Sequence, residues 1–260
     1  MYTSEYIYNI KEINDLILDY KKHIEWSKYI IVDETGNIRW DRISMDQIIH
    51  DFEFVDYYFP KIKPSNIIIF QKIPEWFIKK YFYKLDQKLL CSFQEMSCEF
   101  MDKYIGYMNM ILISKSQKFE NWFIEKYNNV LDWKALSRQE YLEPYIIEKY
   151  LHKCDLQLIS IFNKKLTMDF IERHIEKLDL VFVLENNKVD DNFIIKYQDK
   201  VNWYVVSRRH VFSLAMLKRF EDKVNWLWIA RYQKHIDKQT LLKMVPLKYY
   251  KMINDILNNK

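Results

Sequence analysis

Apolar residues in this chain fall into columns that return every 23 to 25 residues. The string Phe123-Ile124-Glu125-Lys126-Tyr127, followed by Asp132-Trp133 and Leu136-Ser137, comes back as Phe193-Ile194-Ile195-Lys196-Tyr197, Asn202-Trp203 and Val206-Ser207. Related copies start at Phe54, Phe77, Phe100, Ile146, Phe170, Met216 and, more weakly, Leu241. With the first residue of each copy at offset zero, apolar side chains fill offsets zero, one, four and eight, the spacing of one buried helical stripe. Offset four is Tyr58, Tyr81, Tyr104, Tyr127, Tyr150, His174, Tyr197 and Phe220. This predicts a first helix, A, in every unit. Ser97, Thr167, Asp190, Ser213 and Asp237 stand one turn upstream, where a helix N-cap belongs.

Offset nine is Asp86, Asn109, Asp132, Asp155, Asp179, Asn202 and Asn225. Asp and Asn interchange freely there. A capping residue tolerates that exchange, whereas a general base or a hard-cation site does not. The column therefore predicts the start of a second, shorter helix, B. Its apolar positions are offset ten (Trp133, Trp203, Trp226) and offset thirteen (Leu90, Ile113, Leu136, Ile159, Val183, Val206, Ile229), with small residues at offset fourteen (Cys91, Ser114, Ser137, Ser160, Ser207, Ala230). Neither helix is long enough to stand alone, so stacking must supply the burial. The expected fold is all-α: an α-solenoid of short two-helix repeats.

Residues 54–245 read as the array, 1–53 as an atypical N-terminal cap and 246–260 as a C-terminal cap. Leu16, Tyr20, Ile24, Trp26 and Tyr29 mimic one unit, and Trp40, Ile43 and Ser44 the second half of another. Asp33 to Asn37 between them reads as a turn, joining two short strands in a small β-hairpin. Pro60 and Pro64 fall where an A helix should end.

Composition narrows the function. Two glycines, Gly36 and Gly106, leave no material for a phosphate-cradling loop. Three cysteines without framework spacing suit a reducing compartment. The first residues lack a signal-peptide pattern, and no apolar run is long enough for a bilayer. A protein in the cell interior, without membrane contact, is expected. The histidines show no metal spacing, and no GxSxG or GxxxxGK[ST] motif is present, so no enzyme activity, cofactor or metal is expected. The Trp and Tyr columns recur at core spacing and read as core rather than as stacking platforms for bases.

The polar column that stands out is offset three: Lys80, Lys103, Lys126, Lys149, Arg173, Lys196 and Arg219. Stacked units would align these cations into a basic ridge able to meet an acidic protein or a phosphate backbone. Acids at offset two, Asp102, Glu125, Glu148 and Glu172, could instead pair with cations of an adjacent unit and leave a mixed solvated face. A patchier set lies at the end of helix B: Lys115, Arg138, Arg208 and Arg231, with Arg209 beside it. The loop stretches Arg138 to Glu140, Asn163 to Lys165 and Arg208 to His210 escape the core pattern and are candidates for partner contact.

The repeated pattern FIEKYNNVLDWKALS resembles the short helical repeat proteins of mimivirus-type large DNA viruses over roughly residues 54–245. Usage rich in Ile, Lys, Asn, Tyr and Phe suits an AT-rich genome of that kind. The resemblance implies a repeat scaffold with no catalytic motif to carry over. It places the chain in the host cytoplasm or virus factory, or in the virion. The function expected is binding of another protein, viral or host and of acidic character, with RNA or DNA on the basic ridge as the alternative.

Overall fold

Almost every helix of this protein is too short to persist by itself, and side-chain caps mark where most of them begin. The computed structural model describes residues 21–258. Among them the chain is helical throughout, with no strand. All the offset-nine residues cap B helices as expected. Asp86 accepts from the backbone N–H groups of Lys88 and Leu89, Asp155 from Gln157 and Leu158, Asn202 from Tyr204 and Val205, and Asn225 from Leu227 and Trp228. Ser97, Thr167, Asp190, Ser213 and Asp237 cap A helices in the same way. Each such cap contributes about 1 kcal/mol.

The chain divides into two compact bodies between Val130 and Leu131. In the first, A helices Phe52–Tyr57, Glu75–Tyr81, Cys98–Lys103 and Asn121–Tyr127 alternate with B helices Pro64–Phe70, Gln87–Phe93 and Met110–Ser116. Each of these B helices packs on the next. In the second body the A helices are Pro144–Lys149, Met168–Arg173, Asp191–Lys196, Leu214–Arg219 and Lys238–Met244. Its B helices are Trp133–Leu136, Leu156–Phe162, Leu180–Asn186, Trp203–Arg209 and Trp226–Tyr232. From Leu156–Phe162 onward they also lie side by side, and the final helix Leu247–Asn258 covers Trp226–Tyr232.

Helix B is not the shorter element. Both kinds run six or seven residues in most units, because helix A stops at offset four. Tyr58, Tyr104, Tyr150, His174, Tyr197 and Phe220 take φ between −97° and −119° and ψ between 11° and 32°. That sparsely allowed region ends the α-helix, and the remaining residues of the A segment form tight turns. Pro64 does not end a helix. It occupies the first position of B helix Pro64–Phe70, where its missing N–H is not needed. The anticipated hairpin reduces to one isolated antiparallel bridge, Val32 with Ile38. Asp33 Oδ1 closes the turn between them by accepting from Thr35 and Asn37, and Gly36 takes φ 84°. Ile24 is exposed rather than core, while Trp26 and Tyr29 are buried. Leu16 and Tyr20 lie outside the described residues.

The apolar columns form the core. Offsets zero, one and thirteen are buried in every unit, from Phe54, Val55 and Leu90 to Met216, Leu217 and Ile229. Within each body, aromatic rings of one unit rest on the offset-four ring of the next: Phe59 on Tyr81 at 4.0 Å, Phe82 on Tyr104 at 4.2 Å, Trp133 on Tyr150 at 4.9 Å and Trp203 on Phe220 at 4.8 Å. Trp203 and Trp226 give their indole N–H to carbonyls of their own units, Gln198 and Glu221. These columns are core, not open stacking platforms.

Two polar columns are equally buried. Ser137, Ser160 and Ser207 each donate to the carbonyl four residues back and accept from the backbone N–H of the capping Asp155, Asp179 or Asn225 of the following unit. The second column, at offset seventeen, escapes the sequence reading. It is a ladder of amides: Gln71, Gln94 and Gln117 in the first body, and Asn163, Asn187 and Gln233 in the second, all buried. Gln94 shows the pattern. Its Oε1 accepts from Ile73 N–H at 2.8 Å, and its Nε2 donates to the carbonyls of Ile68 and Gln71. Gln71, Gln117, Asn187 and Gln233 repeat it on the unit before them.

Replacing Gln94 by Leu would leave an N–H and two carbonyls buried without partners. Each such group costs about 1–3 kcal/mol. The variant should lose about 3 kcal/mol or more in urea unfolding, and Gln94→Glu, which cannot donate, should be similarly harmed. Lys88→Ala on the exposed surface serves as the reference, expected within about 0.5 kcal/mol of the parent. An equally small effect for Gln94→Leu would show the ladder to be a bystander.

Candidate partner-binding surfaces

The ridge cations project from the last turn of helix A, and most are already matched. Lys80 pairs with Asp56 at 2.6 Å, Lys126 with Asp102, Arg173 with Glu148 at 2.7 Å and Lys196 with Glu172 at 2.8 Å. Each acid belongs to offset two of the preceding unit. Lys200 with Glu176 and Lys223 with Asp199 form a parallel row one turn on. His174, which replaces Tyr in its column, reaches the same Glu148 through Nε2 at 2.9 Å. Where no acid stands opposite, the cation rests on a ring: Lys103 over Tyr104 and Arg219 over Phe220. Lys149 receives no such simple description, since it contacts the rings of Tyr145 and Tyr150 and the Tyr145 hydroxyl.

These pairs are half-exposed and contribute little to stability. Their effect is on the field the surface presents: one carboxylate beside a cation cancels most of its attraction for phosphate. Lys126 and Tyr127 both donate to Asp102, which holds its carboxyl below the usual carboxylate range; the same bond raises the Lys126 ammonium. The link is therefore intact at neutral pH and weakens as pH falls through the Asp102 titration or rises through that of Lys126.

The patchier set at the end of helix B behaves differently. Lys115 and Arg138 are exposed, in the first and second bodies respectively. In the second body two neighbouring B helices bring Arg208, Arg209 and Arg231 to one region, and a third supplies Glu185. Glu185 takes Arg208 through its carboxylate and Arg209 through its backbone carbonyl at 2.7 Å. Arg208 and Arg231 both lie over the ring of Trp228, at 5.9 and 5.5 Å from its centroid. Tyr204 meets Trp228 edge-on at 5.1 Å, and Tyr232 lies 5.4 Å away on the other flank of the sequence. Tyr204 and Tyr232 are about half exposed, at 49% and 52%, and Phe182 on the adjacent helix is exposed at 40%. The aromatic members were missed because they occupy offsets eleven, twelve and sixteen, which no column singles out. Their signal was a bulky aromatic where the pattern asks for nothing.

Asn163 and His210 among the other loop candidates turn inward, whereas Lys164 and Lys165 stay exposed in ion pairs. Asn163 is fully buried and donates to the Leu142 carbonyl. Lys164 and Lys165 pair with Glu140 and Glu143. His210 is nearly buried and bonds Asp191 at 2.7 Å.

The cysteines are free thiols in or near the core. Burial pushes all three up, Cys154 to about 12. Among the described residues no cluster of His, Cys, Asp and Glu could hold a metal ion, and no helix is long and apolar enough to cross a membrane. Comparison with protein-family profiles, curated proteins and solved structures returns no match.

A thiol whose folded pKa is raised favours folding below its unfolded value, about 8.5, and that contribution is lost as pH rises toward the folded value. The melting temperature should therefore fall more steeply between about pH 8.5 and pH 11 in the parent than in Cys154→Val. Identical slopes would mean that Cys154 does not titrate against a buried reference.

Proposed function

We propose that this protein is a scaffold that binds another protein through the exposed B-helix surface of its second body. The observation that carries the reading is the group Tyr204, Arg208, Trp228, Arg231 and Tyr232. Trp, Tyr and Arg dominate the energetics of protein interfaces, because they combine large buried area with few rotatable bonds and directional donors. Arg208 and Arg209 both meet Glu185, and guanidinium groups set against exposed aromatic rings favour an acidic partner segment with aromatic or aliphatic side chains. The resemblance to repeat proteins of mimivirus-type viruses extends the proposal to a viral or host partner met in the host cytoplasm or virus factory.

RNA or DNA on the A-helix ridge is the second reading. Its support is the recurrence of a cation at offset three in successive units. Against it stand the acids of the preceding units, which neutralise Lys80, Lys126, Arg173 and Lys196. Guanidinium and aromatic groups around Trp228 could also stack single-stranded bases, so the test must distinguish the two.

The triple variant Tyr204→Ala, Arg231→Glu, Tyr232→Ala should keep its helical circular dichroism and its melting temperature. It should lose at least about 100-fold in affinity for a stoichiometric protein partner captured by the parent, since two or three central contacts of about 1–2 kcal/mol each are removed. Fluorescence polarisation with labelled single-stranded RNA and DNA at two salt concentrations should show no saturable binding. Binding that falls steeply with salt, and is unchanged in the triple variant, would transfer the function to the ridge.

A further inference from the structure

In the second body the ladder departs from its regular pattern at Glu140, at Asn163 and, with a cavity beside it, at His210. In the regular rungs the side-chain oxygen accepts an N–H from the loop of the preceding unit, and the side-chain nitrogen donates to the carbonyl of the preceding ladder residue. Gln233 does this to Phe212 N–H at 3.0 Å and to the His210 carbonyl at 2.7 Å. Asn187 does it to Leu166 N–H and the Asn163 carbonyl, both at 3.0 Å. Between them stands His210. The groups it should serve are Val189 N–H and the Asn187 carbonyl. The imidazole does not serve them: its Nε2 is held by Asp191 at 2.7 Å, and its ring packs edge-on against Phe212 at 5.0 Å. Among the described residues neither Val189 N–H nor the Asn187 carbonyl has a protein hydrogen-bond partner.

The space beside these two groups is open. A cavity of about 520 Å³ is lined by Asn187, Val189, Ile194, Val206, His210 and neighbouring loop residues. The corresponding groove in the first body, beside Ile49 and Ile73, does not reach the ladder, because Gln71 is in place there and buried. The rung at His210 thus leaves one donor and one acceptor, of the kind the ladder elsewhere pairs with a primary amide, on two residues that line the cavity.

We propose that the gap at His210 binds a primary carboxamide, namely the side chain of a Gln or Asn in an extended segment of a partner protein. The carboxamide oxygen would accept from Val189 N–H and its NH2 would donate to the Asn187 carbonyl, as Gln94 and Gln233 do within the chain. A carboxylate satisfies only half of the site. It could accept from Val189 N–H but would place a second lone pair against the Asn187 carbonyl. Arg209 does not compensate, since it is engaged with the Glu185 carbonyl. The apolar walls, Leu184, Ile194 and Val206, would cover the methylenes of a Gln side chain. The test of this site stands whether or not the Trp228 surface binds a protein.

The test uses the full chain, with N-acetyl-glutamine N-methylamide as probe and the matching glutamate compound as control. Amide exchange comes first: Val189 N–H should exchange at least about tenfold faster than Leu166 and Phe212 N–H, which ladder amides hold. Titration of the glutamine probe should shift the Val189 and Asn187 resonances, with an affinity at least about tenfold above that of the glutamate probe, the factor expected for one unsatisfied polar group. His210→Gln should close the rung, slow Val189 exchange to the level of its neighbours, raise the melting temperature and abolish probe binding. Equal binding of the two probes would overturn the proposal, and this arm requires no variant. So would a His210→Gln protein that folds but keeps both fast Val189 exchange and the probe shifts.

Discussion

Everything in this fold depends on how it disposes of buried backbone polar groups. A helix of six or seven residues has nearly as many unpaired N–H and C=O groups at its ends as paired ones in its middle. Repeating such helices every 23 to 25 residues and stacking the units would trap those groups between layers, at a cost of a few kcal/mol each. Three polar columns meet that cost. Asp and Asn caps start helix B, serine hydroxyls at offset fourteen link one B helix to the cap of the next, and the amides at offset seventeen tie each loop to the loop before it. Gln and Asn carry a donor and an acceptor side by side on one uncharged planar amide, which suits them to the buried rungs.

The same columns set register. Stacking of Phe, Ile and Leu is tolerant of sliding, since apolar contact has little directional preference. A hydrogen bond that must reach one N–H and one carbonyl in the preceding unit is not. The unit beginning at Ile146 is one residue longer than its predecessor, and the ladder adapts there. Asn163 and Asn187 replace Gln, Asn163 Oδ1 turns back to Lys165 N–H, and Asn187 accepts from Leu166, three residues past the previous rung instead of two. The inserted residue is absorbed in a loop while the helices keep their spacing.

Much of this was legible in the amino-acid sequence, and the reason is physical. The core columns and the helix starts are written in residue classes that differ sharply from their neighbours: Phe against Lys at offsets zero and three, Asp or Asn before Trp at offsets nine and ten. The ladder was hidden because its members differ in charge and size. Gln94, Glu140, Asn163 and His210 share an offset but not a charge, length or shape, so the position looked variable, and the stretches around Asn163 and His210 read as free loops. What unites Gln and Asn there is hydrogen-bond geometry, which periodicity does not display. The pairing of ridge cations was visible as an alternative, since acids stood at the matching offset. The structure resolves it for Lys80, Lys126, Arg173 and Lys196. The Trp228 surface was half legible: its arginines were noticed, its aromatic members were not.

Function in a protein built this way is best sought where the internal commitments lapse. Most buried polar side chains here are committed to a backbone group, which leaves few of them for catalysis or ligand recognition. The exceptions are few and local. Arg208 keeps a buried Nε without an acceptor while its other end meets Glu185, at the edge of the aromatic surface around Trp228. His210 abandons the rung it would otherwise form and is held off by Asp191. Both fall on the helix Trp203–Arg209 or its first following residue, in a single unit of the second body. Within the second body these two lapses fall in one unit, and unsatisfied donors and acceptors near exposed aromatic rings are what a partner can bind.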